Sequence, residues 1–384
     1  MRRHSLFLLG LATAAATSAL AQIPPGPPGI PRFQPVEVAD GTITFRLYAP
    51  GARAISLRGE VVIVSGRDSV ALTKDSTGIW TGTLSGLAPE LYSYVYDVDG
   101  APTTDPRNPG AKVGPMGVSS RFEMPGSPDF YAARDVPHGR VEINWHRSAI
   151  LNQERPLWVY TPPGYSSDVN RRYPVLYLLH GSGDLEAGWT EDGRANFILD
   201  NLIAAGRARP MIVVMPRGHV FADHQIERQQ NNALIQRVLV EELVPFVEAN
   251  YRVSPDKNSR AIAGLSMGGG QALRFGLQNL DTFAWVVGFS PAILLAQSES
   301  ALFDDLYADP EKANTALKLL MIRCGTKDHL ISYVDRFAQQ LADHQIEHTY
   351  VRADYESRWP GRMDDHTWPI WRMDLYEVAQ LLFR

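Results

Sequence analysis

The sequence predicts a chain in two parts: a small all-β sandwich, then an α/β unit built on a doubly wound, mostly parallel sheet. Three observations predict it. Between about residues 33 and 124, short alternating runs separated by turn residues recur at the spacing of a sandwich. From 136 onward, near-continuous apolar runs alternate with amphipathic helical patterns, as in a parallel sheet buried on both faces. Within that second part, Gly264-Leu265-Ser266-Met267-Gly268 lies between a short apolar strand and a helix. A G-x-S-x-G junction of this kind is the pattern of a nucleophile elbow. A length of 384 residues suits two domains.

Composition narrows the classes of function. Hydrophobic content of 45%, charged content of 21% and a net charge of -5 describe an ordinary globular chain. No basic tract occurs, so nucleic acid is not an expected partner. Residues 1–21 read as a signal peptide: Arg2 and Arg3, an apolar run from 6 to 11, and a small-residue stretch ending Ala19-Leu20-Ala21. Cleavage is expected after Ala21. The apolar run is too short for a membrane span, and Gln22 rather than cysteine would come first, so neither a membrane partner nor a lipid anchor is expected. The chain is expected in the periplasm or outside the cell. Cys324 is its only cysteine, which rules out an internal disulfide.

Taken in order, residues 22–32 are a Pro/Gly-rich leader. Strands are expected at 42–48, 54–57, 61–64, 80–84 and 92–98, with turns at 49–51, 75–78 and 99–100. The stripe Tyr92, Tyr94, Tyr96 reads either as a sugar-stacking platform or as packing on one sandwich face. Residues 105–110 form a rigid loop and 125–135 a linker into the unit at 136–384. That unit has expected strands at 157–160, 173–179, 211–215, 259–263, 285–289, 319–324 and 348–351. Helices are expected at 195–205, from 271, at 331–341 and at 368–383. One long helix is expected at 232–250, kinked at Pro245.

A serine hydroxyl is a weak nucleophile and needs an adjacent base that is itself oriented by an acid. Glycines at 264 and 268 let backbone approach closely at a strained turn. Asp328 lies in the loop after the 319–324 strand, where such an acid belongs; Asp354 competes, and Asp328 also reads as a helix N-cap. His366, between the last strand and the last helix, is placed to swing an imidazole over the elbow. Of the rivals, His329 adjoins the acid too closely, and His344 and His348 sit beside a surface helix or on a strand. Asp364 and Asp365 next to His366 suggest a metal site, but no further ligand at suitable spacing accompanies them, so no metal and no cofactor is expected. Backbone N–H groups of Met267 and of Ser182, in the loop Leu179-His180-Gly181-Ser182-Gly183, are the candidate oxyanion donors. Trp189, Phe221, Trp359 and Trp368 are candidate pocket walls, with Trp189 and Trp368 assigned to substrate binding; large aromatics are equally ordinary core residues.

With these residues in hand, the chain resembles the feruloyl/acetylxylan-type esterases of carbohydrate esterase family one, the esterase-D-like branch of α/β hydrolases. The likeness is carried by 158–165 (WVYTPPGY), 178–184 (LLHGSGD), 210–216 (PMIVVMP), 263–269 (AGLSMGG) and 366–372 (HTWPIWR). It implies an α/β-hydrolase fold preceded by a small all-β immunoglobulin-like sandwich at 33–124, similar to the carbohydrate-binding modules near glycogen-branching enzymes. It implies a secreted serine carboxylic-ester hydrolase that releases ferulate or acetate from xylan, with Ser266, Asp328 and His366 as nucleophile, acid and base and Ser182 and Met267 as oxyanion donors. Ester-decorated polysaccharide is the partner it implies. One departure stands out: family members commonly have glycine before the histidine, where this chain has Asp364-Asp365, expected to change the charge of the pocket or the pKa of the histidine. A siderophore esterase and a sugar-binding protein on an inactive hydrolase scaffold are the competing readings.

Overall fold

A computed structural model describes residues 31–384 except 116, 127, 221–226, 295–296 and 356–364. The signal segment, almost all of the leader, and Phe221, Trp359 and Asp364 therefore lie outside the described residues. From the N-terminal side the elements are β1 (Val36–Ala39), β2 (Thr42–Tyr48), β3 (Ile55–Arg58), α1 (Glu60–Ile63), β4 (Val70–Ala71), β5 (Thr73–Lys74), β6 (Ile79–Ser85), β7 (Leu91–Val98), β8 (Ala101–Thr103), β9 (Ala111–Gly114) and β10 (Gly117–Glu123). They form two antiparallel sheets, ordered β1-β2-β6-β5 and β4-β3-β7-β10-β9, with β8 paired to β7.

Period-2 alternation explains what these sheets bury. Ile43, Phe45 and Leu47 of β2 point inward, as do Trp80 and Leu84 of β6 and Tyr92, Tyr94 and Tyr96 of β7. Phe45 meets Tyr94 edge-on, with ring centroids 5.1 Å apart. The tyrosine stripe is therefore core, which ends the reading of it as a sugar platform. The Tyr94 hydroxyl donates to Asp105 Oδ2 at 2.8 Å and accepts from Asn108 Nδ2 at 2.9 Å, which fastens the 105–110 loop. The run at 61–64, expected as a strand, is instead the single helical turn α1. Consecutive Val61 and Val62 are both buried, which a strand with one face to solvent does not allow but a turn tucked under the sheet does.

The second unit carries β11 (Arg140–Ser148), β12 (Gln153–Thr161), β13 (Val175–Leu179), α2 (Gly188–Glu191), α3 (Ala195–Ala204), β14 (Ile212–Pro216), α4 (Arg228–Arg237), α5 (Val244–Asn250), β15 (Arg260–Leu265), α6 (Ser266–Gln278), β16 (Trp285–Phe289), α7 (Asp304–Ala308), α8 (Pro310–Ala316), β17 (Leu319–Gly325), α9 (Ile331–Asp343), β18 (Thr349–Ala353) and α10 (Trp368–Ala379). Its eight-stranded sheet runs β11-β12-β14-β13-β15-β16-β17-β18. The β11–β12 and β12–β14 pairs are antiparallel and the remaining pairs parallel. Alternate residues of β13 serve the two faces. Val175, Tyr177 and Leu179 join the cluster under α4, α5, α6 and α9, while Leu176 and Leu178 join the one under α3 and α10. No helix among the described residues is long and apolar enough to cross a membrane.

Two further differences from expectation have local causes. The single helix expected at 232–250 is α4, a π-helical stretch (Val238–Leu243) and α5. Pro245 sits in the first turn of α5, directly after the π-helical stretch, so the irregular turn falls where the proline ring removes a backbone N–H and crowds the preceding carbonyls. Strand β11, not expected from the sequence, carries an alternating apolar stripe, Val141, Ile143 and Trp145, that stays exposed, Trp145 to 64%; it pairs with β12 over its full length.

Buried charge joins the two units. Arg372 of α10 (0% exposed) is ion-paired with Glu90 (2%) ahead of β7. Its Nη1 donates to Asp192 O at 2.7 Å, and its guanidinium lies 4.5 Å from the Tyr131 ring centre. The Tyr131 hydroxyl in turn donates to Glu90 Oε1 at 3.2 Å. The stretch read as a linker is thus seated: Tyr131 is buried, and Asn201 Nδ2 reaches the carbonyls of Asp129, Phe130 and Ala132. Arg372→Met would leave the Glu90 carboxylate buried without its cation. The expected loss is about 3–5 kcal/mol of unfolding free energy, to be read by urea denaturation.

Candidate active site

The site begins with a backbone conformation. Strand β15 ends at Leu265, and Ser266 opens α6 with φ of 53°, a left-handed geometry that non-glycine residues seldom adopt. Close backbone packing holds it there. A Cβ on Gly264 would lie 2.4 Å from Gly268 O, and one on Gly268 would lie 2.5 Å from His180 O. Only glycine fits at either position. Ala292 N donates to Ser266 O at 2.8 Å from the far side. The hydroxyl stands at the N-terminal end of a 13-residue helix, where the macrodipole favours negative charge.

Loops at the C-terminal ends of β17 and β18 bring the other two groups in. His366 Nε2 is 2.9 Å from Ser266 Oγ, and His366 Nδ1 is 2.9 Å from Asp328 Oδ2. An ionised carboxylate only accepts, so Nδ1 carries the proton toward Asp328, and Nε2 is free to accept from the serine hydroxyl. Asp328 is buried, and its Oδ1 accepts from Leu330 N at 2.8 Å. Burial pushes its carboxyl up, but the His366 hydrogen bond and charge outweigh that and hold it below the usual carboxylate range. Asp328 therefore stays an anion. Of the rivals, His329 lies beside the His366 ring, 4.4 Å between ring centres, while Asp354 is exposed at the end of β18, His344 stacks on Tyr307 at 4.1 Å, and His348 Nδ1 bonds Ile346 O.

Three donors able to bind a metal, on Asp328, His329 and His366, lie within 4.8 Å of one another. Both His366 nitrogens are already engaged by Asp328 and Ser266, so a cation held by this trio would break the serine–histidine–aspartate chain.

The tryptophans assigned to substrate binding do something else. Trp189 is 0% exposed, and its Nε1 donates to Leu179 O at 2.9 Å. Trp368 is buried too, 5.2 Å from Trp189 and 5.4 Å from Trp371 between ring centres. Trp371 meets the His366 ring edge-on at 5.0 Å. This is a column of rings beneath the imidazole, not the wall of a pocket. The start of α10 packs over α2, so aromatics that look loop-borne in the sequence end up inside.

Asp365 also differs from expectation. Instead of charging the pocket it is buried, with Oδ2 accepting from Lys327 N at 2.9 Å. A Cβ on Gly325 would lie 2.3 Å from Asp365 Cβ, so glycine there lets the aspartate close on the acid-bearing loop. Asp365 thus staples the histidine's loop to that of Asp328.

The candidate oxyanion loop is similarly supported. A Cβ on Gly181 would lie 3.5 Å from Ser266 Cβ, which places the loop directly over the elbow. His180 Nδ1 donates to Gly181 O at 2.7 Å, and its Nε2 accepts from Gly218 N at 2.9 Å. Burial pulls its pKa down, consistent with a neutral ring whose two nitrogens play opposite parts. His219 Nε2 donates to Ser182 O at 3.2 Å. Gly218 O is held by Gln271 Nε2 and Asn231 Nδ2, both at 3.0 Å, and buried Arg155 donates to the carbonyls of Arg217, His219 and Val220. Ser182 and Met267, the assigned donors, are sequence neighbours of Gly181 and Ser266 in this arrangement. Of the supporting residues only His180 lies within a quoted motif; His219, Asn231, Gln271 and Arg155 are visible only through their partners.

Fold and site together define an esterase-type α/β hydrolase. The family model Esterase ("Putative esterase") matches residues 148–381, and the chain belongs to that family. It is 32% identical over 358 residues to an endo-1,4-beta-xylanase/feruloyl esterase of Xylanibacter ruminicola, an alignment covering 91% of this chain and 46% of the relative. The chain thus spans less than half of that relative's length. Among solved structures, a ferulic acid esterase is 25% identical with a TM-score of 0.53, over 64% of this chain and 98% of that one. The enterobactin esterase FES of Shigella flexneri shares the fold at 19% identity, with a TM-score of 0.62 over 91% of this chain and 96% of that one. The chain is thus a member of the esterase family related to feruloyl esterases.

Two outcomes follow. Asp365→Ala unties the histidine loop, so kcat on a simple ester should fall about tenfold, whereas a carboxylate that merely charged the pocket would shift KM. The folded-state pKa of Asp328 is lowered, so its stabilisation is complete above the ordinary carboxylate range and disappears as pH falls through the lowered value. Asp328→Asn should flatten that acid limb in pH-dependent denaturation.

Proposed function

We propose that the chain is a secreted serine esterase that removes ferulate or acetate from ester-decorated plant cell-wall polysaccharide, xylan foremost. The observation that carries this reading is the continuous hydrogen-bonded chain from Ser266 through His366 to Asp328 on a strained elbow. The Xylanibacter relative, a xylanase/feruloyl esterase, supports ferulate as the acyl group and xylan as the polymer. The segment at 1–21 supports export.

In the proposed reaction Ser266 Oγ attacks the ester carbonyl while His366 Nε2 takes its proton, and Asp328 steadies the resulting imidazolium. N–H groups of Ser182 and Met267 receive the oxyanion. His366 then returns the proton to the departing sugar oxygen, leaving an acyl-serine. Water, deprotonated by the same nitrogen, attacks the acyl carbon; the C–O bond to Ser266 breaks and the acid leaves.

A catecholate siderophore ester is the second reading, favoured by the whole-length likeness to an enterobactin esterase, which takes in the N-terminal sheets as well. Rates on methyl ferulate, acetylated xylan, p-nitrophenyl acetate and a catecholate siderophore separate the two. Ferulate or acetate release is expected to dominate, and preference for the siderophore would reverse the assignment. Ser266→Ala should lower kcat at least about 10⁴-fold. Wild-type rates in that variant would overturn Ser266 as the nucleophile, whereas a wild-type chain inactive on every ester would leave only a sugar-binding role on a hydrolase scaffold.

A further inference from the structure

We propose that the β9–β10 hairpin of the N-terminal sheets belongs to the catalytic machinery of the second unit: Lys112 and Gly114 hold the 181–184 loop, and so the Ser182 N–H, where an oxyanion needs it. This rests on the serine-esterase reading.

Loop 181–184 is gripped on one side by its own unit, where His219 holds Ser182 O and Gly181 lies against Ser266. Its other side faces the hairpin. Asp184, which closes the loop with its N–H on Gly181 O at 3.1 Å, turns a carboxylate of only 8% exposure toward Lys112 Nζ at 3.5 Å. Asp184, Asp192 and Glu60 surround that ammonium and keep it charged in spite of burial. Beside this pair the two backbones touch: a methyl on Gly114 would sit 2.6 Å from Gly183 O. The hairpin is itself anchored. Arg121 of β10 reaches Glu191 Oε2 at 2.8 Å and Asp192 Oδ1 at 3.2 Å, and Arg194 reaches back to Glu123 at 2.9 Å.

The physical consequence is direct. A buried carboxylate without its cation is costly, and the cheapest remedy is for the loop to move until Asp184 meets water. Oxyanion donors work only at the position the developing charge occupies, so such a movement costs rate rather than binding. Lys112 is accordingly a positioning residue acting through Asp184.

The test uses the full chain and methyl ferulate. Lys112→Met and Gly114→Ala should each lower kcat about tenfold or more, within the range for loss of an oxyanion donor, with KM within about twofold. Lys112→Arg should recover most of the rate. Adding Asp184→Asn to Lys112→Met should cost less than the product of the two single effects, because the stranded carboxylate is gone. Wild-type kcat in both hairpin variants overturns the proposal, as does a loss confined to KM or to melting temperature. Ser266→Ala keeps the two readings apart. If it is inactive while Lys112→Met behaves as wild type, only the hairpin's role fails; if it retains wild-type activity, Ser266 is not the nucleophile and the serine mechanism on which the hairpin's role rests fails.

Discussion

The left-handed backbone of Ser266 is the constraint on which the rest of the site depends. A single residue in that conformation costs of order 1–3 kcal/mol and persists only if its surroundings leave no alternative. They leave none: Gly264 lies against Gly268, Gly268 lies against His180 O, and Ala292 N holds the Ser266 carbonyl. The same contacts that aim the hydroxyl bring the 180–184 loop over it. Nucleophile geometry and oxyanion geometry are therefore one packing problem, solved by glycines at the crossing of two backbones.

Around that crossing, buried polar groups set positions more than they supply stability. His180 spends both nitrogens on backbone, joining the 181 carbonyl to the 218 amide. Asp365 spends its carboxylate on Lys327 N and ties two loops together. The tryptophan column keeps the imidazole upright from below. The bonds that His180 and Asp365 make to backbone favour one arrangement of the loops, since each lost bond leaves a buried group unpaired. That is the pre-organisation an acyl-transfer site requires.

The N-terminal sheets take part in the same design. Glu90 meets Arg372 six residues beyond His366 in sequence, and Lys112 meets Asp184 at the end of the candidate oxyanion loop. Charges buried between two units favour one docking of the units over others, because any other leaves a carboxylate or a guanidinium desolvated and alone. This gives the sandwich-like part a mechanical reason to accompany the hydrolase, separate from any sugar it binds.

Much of this was legible in the chain itself. The parallel sheet shows in runs such as 173–179, because strands buried on both faces admit almost only apolar residues. The elbow shows because its sterics demand glycine at fixed spacing around a serine, and Asp328 and His366 show because this chain order places each in a loop after a strand. The roles of Trp189, Trp368 and Asp365 were not legible, nor was the helical turn at 60–63. Whether an aromatic lines a pocket or fills a core, and whether a carboxylate faces solvent or a backbone amide, depends on what another segment brings to it. Local sequence determined the elements and the chemistry-bearing positions, because propensity, periodicity and glycine sterics act over a few residues. Tertiary structure alone decided which buried groups share a partner, because burial and charge pairing are set by segments as distant as Glu90 and Arg372.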